Sequence, residues 1–259
     1  VRAALRGLES RNADRVARHL VVAGALVDED PETALAHARA ARDRASRVAA
    51  VREAVGVAAY HAGDYAEAAR ELRAYRRMTG DEGYRAVLAD CERAMGRPEV
   101  ALRLVAEALE SAPQADELLE LRLVEAGVRR DLGEQAAARL VLEDALGGAR
   151  VPEGLSAEDP GRLRLAAAYA DLLDELGEVE RAEQWAAAIA AVDEDDVAGT
   201  GRGPQVVFSE EEIEVEDELP AAEEPELDFD DDVEREVAEL LGEDHPLAHP
   251  EAEPRSTSD

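Results

Sequence analysis

The sequence predicts an all-α chain. Residues 1–193 read as a right-handed α-solenoid of about five helical hairpins, and residues 194–259 as an acidic, largely disordered tail with a short helix at 230–242. Three observations predict it. Alanine, leucine, glutamate and arginine, all good helix formers, dominate a chain that is only 3% aromatic. Glycine turns and buried-type small residues recur in phase along the first three quarters. The composition then changes abruptly after Val192.

The hairpins follow in order. A small residue opens each second helix at Ala34, Ala68, Ala101, Ala138 and Ala182, and a further small or apolar residue follows seven positions on, at Ala41, Tyr75, Ala108, Ala145 and Ile189. The turn between helices reads Ala-Gly-Asp-Tyr at 62–65, Met-Gly-Arg-Pro at 95–98, Leu-Gly-Glu-Gln at 132–135 and Leu-Gly-Glu-Val at 176–179. In the first hairpin Asp28-Glu29-Asp30-Pro31 takes its place. Glycine suits the left-handed residue that ends a helix, and an acid suits the start of the next. Successive turn glycines are 33, 37 and 44 residues apart, the longer intervals being absorbed by loops near Pro113 and over 147–160. The most regular hairpin is 53–80, where Gly56 is expected to face Ala68 at the helix crossing. A generic alanine-rich bundle would share the composition, but not turns and alanines recurring in register.

Helix–turn–helix units of about 34 residues point to one repeat class. With small or apolar residues at Val55, Gly56, Ala68 and Leu72, and again at Leu88, Ala89, Ala101, Val105, Ala108 and Pro113, the chain resembles the tetratricopeptide repeat family, members from high-GC actinobacteria included, over roughly residues 11–193. It departs from the family pattern where an early tryptophan is expected (Arg52, Arg85, Arg122) and where a first-helix tyrosine is expected (Ala59, Glu92, Arg129). The resemblance implies an inner groove lined by the first helix of each unit. Carried over, those positions are Glu53, Val57, Tyr60 and His61, then Ala86, Asp90 and Arg93, then Leu123, Gly127, Arg130 and Asp131. The clamp by which chaperone-binding members hold a terminal carboxylate is not implied, because Glu53, Val57, Val87 and Leu123 stand at its places.

No constellation asks for catalysis, a cofactor or a metal. His19, His37 and His61 fall on different helices with no second ligand at helical spacing, and Pro246 and Pro250 oppose the helix that would align His245 with His249. The glycines at 199, 201 and 203 follow no strand, and a chain without lysine cannot complete a phosphate loop with one. The acids at 193–196 lack the spacing of a calcium loop. Cys91 sits mid-helix with no base indicated, which makes it a small core residue rather than a nucleophile.

Charge divides the chain further. Residues 1–100 carry +1, residues 101–192 carry −10 and residues 193–259 carry −23, giving the total of −32. Arg39, Arg42, Arg44, Arg47, Arg52, Arg70, Arg73, Arg76 and Arg77 concentrate positive charge in the first two hairpins. Stacking aromatics are few and the tail is opposed in sign, so helix faces paired with nearby acids are expected there rather than a nucleic-acid surface. No apolar run has the length to span a bilayer and the first residues show no signal-peptide core, so a cytoplasmic protein is expected. The function expected is that of a non-enzymatic scaffold or adaptor holding a protein or peptide segment in its groove, with the tail able to dock on the arginine-rich half. The alternative is a regulator of transcription or nucleic-acid machinery whose acidic tail mimics nucleic acid or binds a basic partner.

Overall fold

The computed structural model describes residues 2–193, 196 and 198. The tail helix expected at 230–242, the glycine-rich linker, His245 and His249 all lie outside them. Among the described residues, one short 3-10 turn, Arg2–Leu5, precedes ten α-helices, and there is no strand. The helices are α1 Ser10–Leu26, α2 Pro31–Ala45, α3 Ala49–His61, α4 Tyr65–Thr79, α5 Arg85–Ala94, α6 Pro98–Glu110, α7 Ala115–Asp131, α8 Gln135–Ala145, α9 Pro160–Glu175 and α10 Val179–Ala190. Each packs on the next, and in addition α1 packs on α3, α5 on α7 and α7 on α9.

The turn glycines behave as their chemistry requires. Gly63, Gly96, Gly133 and Gly177 have φ between 74° and 77°, where a side chain would be strained. At each, the glycine N–H reaches back to one carbonyl and the following N–H to the carbonyl before it. In the second hairpin these are Gly63 N to Tyr60 O at 3.1 Å and Asp64 N to Ala59 O at 2.8 Å. Such closure satisfies the last carbonyls of one helix while reversing the chain into the next. Helix starts are fixed locally as well: the carboxylates of Asp30, Asp64 and Asp159 accept from the backbone N–H three residues on.

The alanine ladder is the core. Ala34, Ala68, Ala101 and Ala138 are wholly inaccessible and Ala182 nearly so. Small residues there let paired helices approach closely, while Leu72, Leu121, Leu142, Leu172 and Trp185 are fully buried around them. Tyr75 departs from the ladder: it is half-buried and its hydroxyl donates to Asp81 at 2.9 Å. Gly56 corrects the expected crossing. The atoms nearest a Cβ built on it belong to Leu72, with Cγ at 2.6 Å and the backbone N at 3.2 Å, rather than to Ala68. The crossing therefore lies one turn further along α4.

Charged residues occupy places where an apolar core would be expected. Glu67 and Glu71 of α4 are buried, yet Glu67 accepts from Arg39 at 2.8 Å, Arg42 at 2.5 Å and Arg70 at 2.6 Å, while Glu71 accepts from Arg52 at 2.5 Å. Buried Glu92 pairs with Arg73 and with Arg97, and buried Glu125 with Arg122 and Arg129. Carboxylates below the surface need such partners to offset lost hydration. Much of the positive charge in the first two hairpins is spent this way: Arg39, Arg42, Arg52, Arg70 and Arg73 all hold glutamates of their own chain.

Candidate partner-binding site

The odd-numbered helices α3, α5, α7 and α9 border one open concavity of about 460 Å³. The longest contribution comes from α7, where Glu120, Leu123, Val124, Gly127, Arg130 and Asp131 recur every three or four residues and so share one helix face. Tyr60 enters from α3, Asp90 and Arg93 from α5, and Glu175 from the end of α9.

A hydrogen-bonded ladder runs across it. Tyr60 donates its hydroxyl to Asp90 Oδ2 at 2.7 Å, and Arg93 donates Nε to Asp90 Oδ1 at 2.7 Å. Arg93 then extends Nη1 to Asp131 Oδ2 at 2.9 Å, passing Gly127 with Nε 3.6 Å from where a Cβ would stand. Arg130 repeats the move one hairpin on, reaching both carboxylate oxygens of Glu175. Glu120 pairs with Arg164 of α9. Burial and then the hydrogen bond to Asp90 raise the Tyr60 phenol well above its ordinary value, so it is a donor throughout the physiological range. Burial opposes the charge on Arg93, but Asp90 and Asp131 outweigh it and the guanidinium is held more firmly protonated than usual.

Of the eleven groove positions carried over in the sequence, Tyr60, Asp90, Arg93, Leu123, Gly127, Arg130 and Asp131 line this concavity together. The other four do not. Glu53 accepts the Tyr84 hydroxyl at 2.7 Å, Val57 packs partly buried against the core of the first hairpins, His61 lies 3.4 Å from Asp28, and Ala86 is buried in a core cluster with Ala89 and Leu121. Glu120, Val124 and Glu175 line it too and are not among those positions. A signal for Glu175 was present: it precedes the turn glycine Gly177 by two, as Asp131 precedes Gly133.

Elsewhere, His19 is wholly buried, and its Nδ1 lies 3.0 Å from Nδ1 of His37, a pairing of α1 with α2 that no spacing within one helix could reveal. Among the described residues no group of three or more histidine, cysteine or acidic side chains is placed to hold a metal ion. The Cys91 thiol is buried and pushed up to about 12 by that burial, with Asp90 adding to it, which disfavours the thiolate a nucleophile needs. No described helix is long and apolar enough to cross a membrane. Comparison with protein-family models, with curated proteins and with solved structures finds no match.

Proposed function

We propose that this chain is a non-enzymatic scaffold, a right-handed solenoid of tetratricopeptide type that holds a segment of another protein in the concavity along α3, α5, α7 and α9. The observation that carries the reading is the convergence of side chains from four alternate helices on one open cleft, with a ladder of polar groups around a small apolar floor. Such a cleft offers fixed donors and acceptors to an extended chain and a landing for one or two side chains. The packing of α1 on α3, α5 on α7 and α7 on α9 favours a stack in which first helices share one side. Around Cys91 and the described histidines the chemistry favours structural roles over catalytic ones.

A photo-crosslinking side chain placed at Leu123 in the full chain, with Leu140 on the exposed face of α8 as control, tests the proposal in lysate. The expected product is a protein adduct at 123 only, resistant to nuclease and lost when Gly127→Trp fills the floor. Adducts that form equally at 140, or that disappear with nuclease, would overturn it.

A further inference from the structure

The charge balance of the concavity narrows the chemistry of what enters it; the inference rests on the binding role proposed above. Four carboxylates line it, from Asp90, Glu120, Asp131 and Glu175, against two guanidiniums, from Arg93 and Arg130. The net charge of the lining is −2, and counting the Arg164 partner of Glu120 leaves it at −1. Both lining arginines are already committed: Arg93 to Asp90 and Asp131, Arg130 to Glu175. An arriving anion would meet guanidiniums whose charge is already balanced by carboxylates, in a lining that is net negative.

A cation meets the opposite situation. Asp131 gives Oδ2 to Arg93 while 48% of its side chain stays exposed, and Glu175 is 44% exposed beside it in the lining. A carboxylate has lone-pair sites for several donors, so both acids can accept from a guest without releasing their arginines. The apolar part of the lining is formed by Leu123 and Val124, with Gly127 beside them under the Arg93 side chain. Apolar floor with acids at the rim suits a side chain that is hydrocarbon along its length and positive at its end. The wider field agrees, since residues 101–192, which supply most of the lining, carry −10.

We infer that the concavity binds a polypeptide segment bearing lysine or arginine, with the side-chain methylenes on Leu123 and Val124 and the charge directed to Asp131 and Glu175. The acidic tail of the same chain is the wrong occupant for this surface, because its sequence brings −23 to a cleft that is already negative.

The test uses the full chain and two capped seven-residue alanine peptides, one with two arginines and one with two glutamates at the same places. Binding is followed at the Gly127 and Asp131 amides by NMR, so that polycation binding to the acidic tail is read separately. The arginine peptide should shift both amides saturably. Its affinity there should fall about tenfold or more in Asp131→Asn/Glu175→Gln, and stay unchanged in Glu180→Gln/Glu183→Gln, which removes the same charge from the exposed side of α10. Arginine-peptide shifts confined to residues 201–259, or equal weakening by both double variants, would overturn the inference. A glutamate peptide that shifts Gly127 as strongly would overturn it too, while leaving a binding role for the concavity intact.

Discussion

Arg93 on α5 binds Asp131 on α7 at 2.9 Å, and the two residues hold consecutive places in one register: three before a turn glycine, then two before the next. Arg130 and Glu175 occupy the same offsets one hairpin further and make the same pair. A repeated offset has become a repeated bond between alternate helices. Both members of the first pair are substantially exposed, 31% and 48%, so its contribution to stability is screened. Asp131→Asn should cost within about 1 kcal/mol, as for surface ion pairs generally. Chemical denaturation of the full chain checks this, and a loss of several kcal/mol would mean the ladder holds the fold rather than shaping a surface.

Glu67 is the contrast. Its side chain is 7% exposed and three arginines from α2 and α4 converge on it. Burial opposes its charge, and the hydrogen bonds from Arg39 and Arg42 outweigh that, so it ionises more readily than an ordinary glutamate. Glu67→Gln keeps the shape, removes the charge and leaves the three guanidiniums facing one another. A cost of about 2–3 kcal/mol is expected, less than for a wholly buried pair because Arg39 and Arg70 reach solvent. The denaturation midpoint should fall well below that of Asp131→Asn; an equal midpoint would show that the cluster is not stabilising.

The hairpins were legible because their signals are local. A glycine at positive φ, an acid capping the next helix and an alanine at a close crossing are each written within a few residues. The seven concavity residues among the carried-over positions came from the family resemblance, which assigns the groove to first helices. What stayed hidden depends on partners far apart in sequence. Nothing near His19 announces His37, and nothing near Arg52 or Arg85 announces Glu71 or Glu117 as the acid it pairs with. Leu72 replaced Ala68 as the neighbour of Gly56 because both lie on the same face of α4 one turn apart, and only the crossing geometry decides between them.

That crossing makes a test in which two effects oppose. Gly→Ala within a helix ordinarily gains up to about 1 kcal/mol. At Gly56 the new methyl would overlap Leu72, and overpacking a tight core costs about 1–3 kcal/mol. A net loss is therefore expected for Gly56→Ala, and a larger one for Gly56→Leu. In a Leu72→Ala background the overlap with the side chain is gone and the penalty should shrink or reverse. Equal effects in the two backgrounds would show that Leu72 is not the obstacle.

Gly177 and Gly24 should respond in opposite directions to the same substitution. Gly177 has φ of 76° and open space around it, so Gly177→Ala meets only backbone strain, about 1–2 kcal/mol. Gly24 is exposed within α1, has no neighbour within 4 Å of a built Cβ and does not have a positive φ, so Gly24→Ala should stabilise by about 0.5–1 kcal/mol. Melting temperatures of the two variants should bracket the parent; the same sign for both would contradict the turn geometry assigned to Gly177.

The pairing of buried His19 with partly buried His37 predicts a pH dependence whose sign can be worked out. With Nδ1 facing Nδ1 at 3.0 Å, one ring must donate and the other accept, so the pair holds only while one of the two lacks a proton there. Burial lowers the pKa of His37 below its unfolded value near 6.5. The unfolded chain then binds more protons than the folded one in the interval just below that value. The stability this group contributes is present above about pH 6.5 and is lost as pH falls through the folded pKa. Glu67 and Glu143, whose folded pKa values are also depressed, lose their contribution only on acidification below the carboxylate value of 4.5. Denaturation midpoints measured from pH 7 down to pH 5 should therefore decline in the parent chain and decline less in His37→Asn. An identical slope in the variant would mean that the interface between α1 and α2 does not sense protonation at His37.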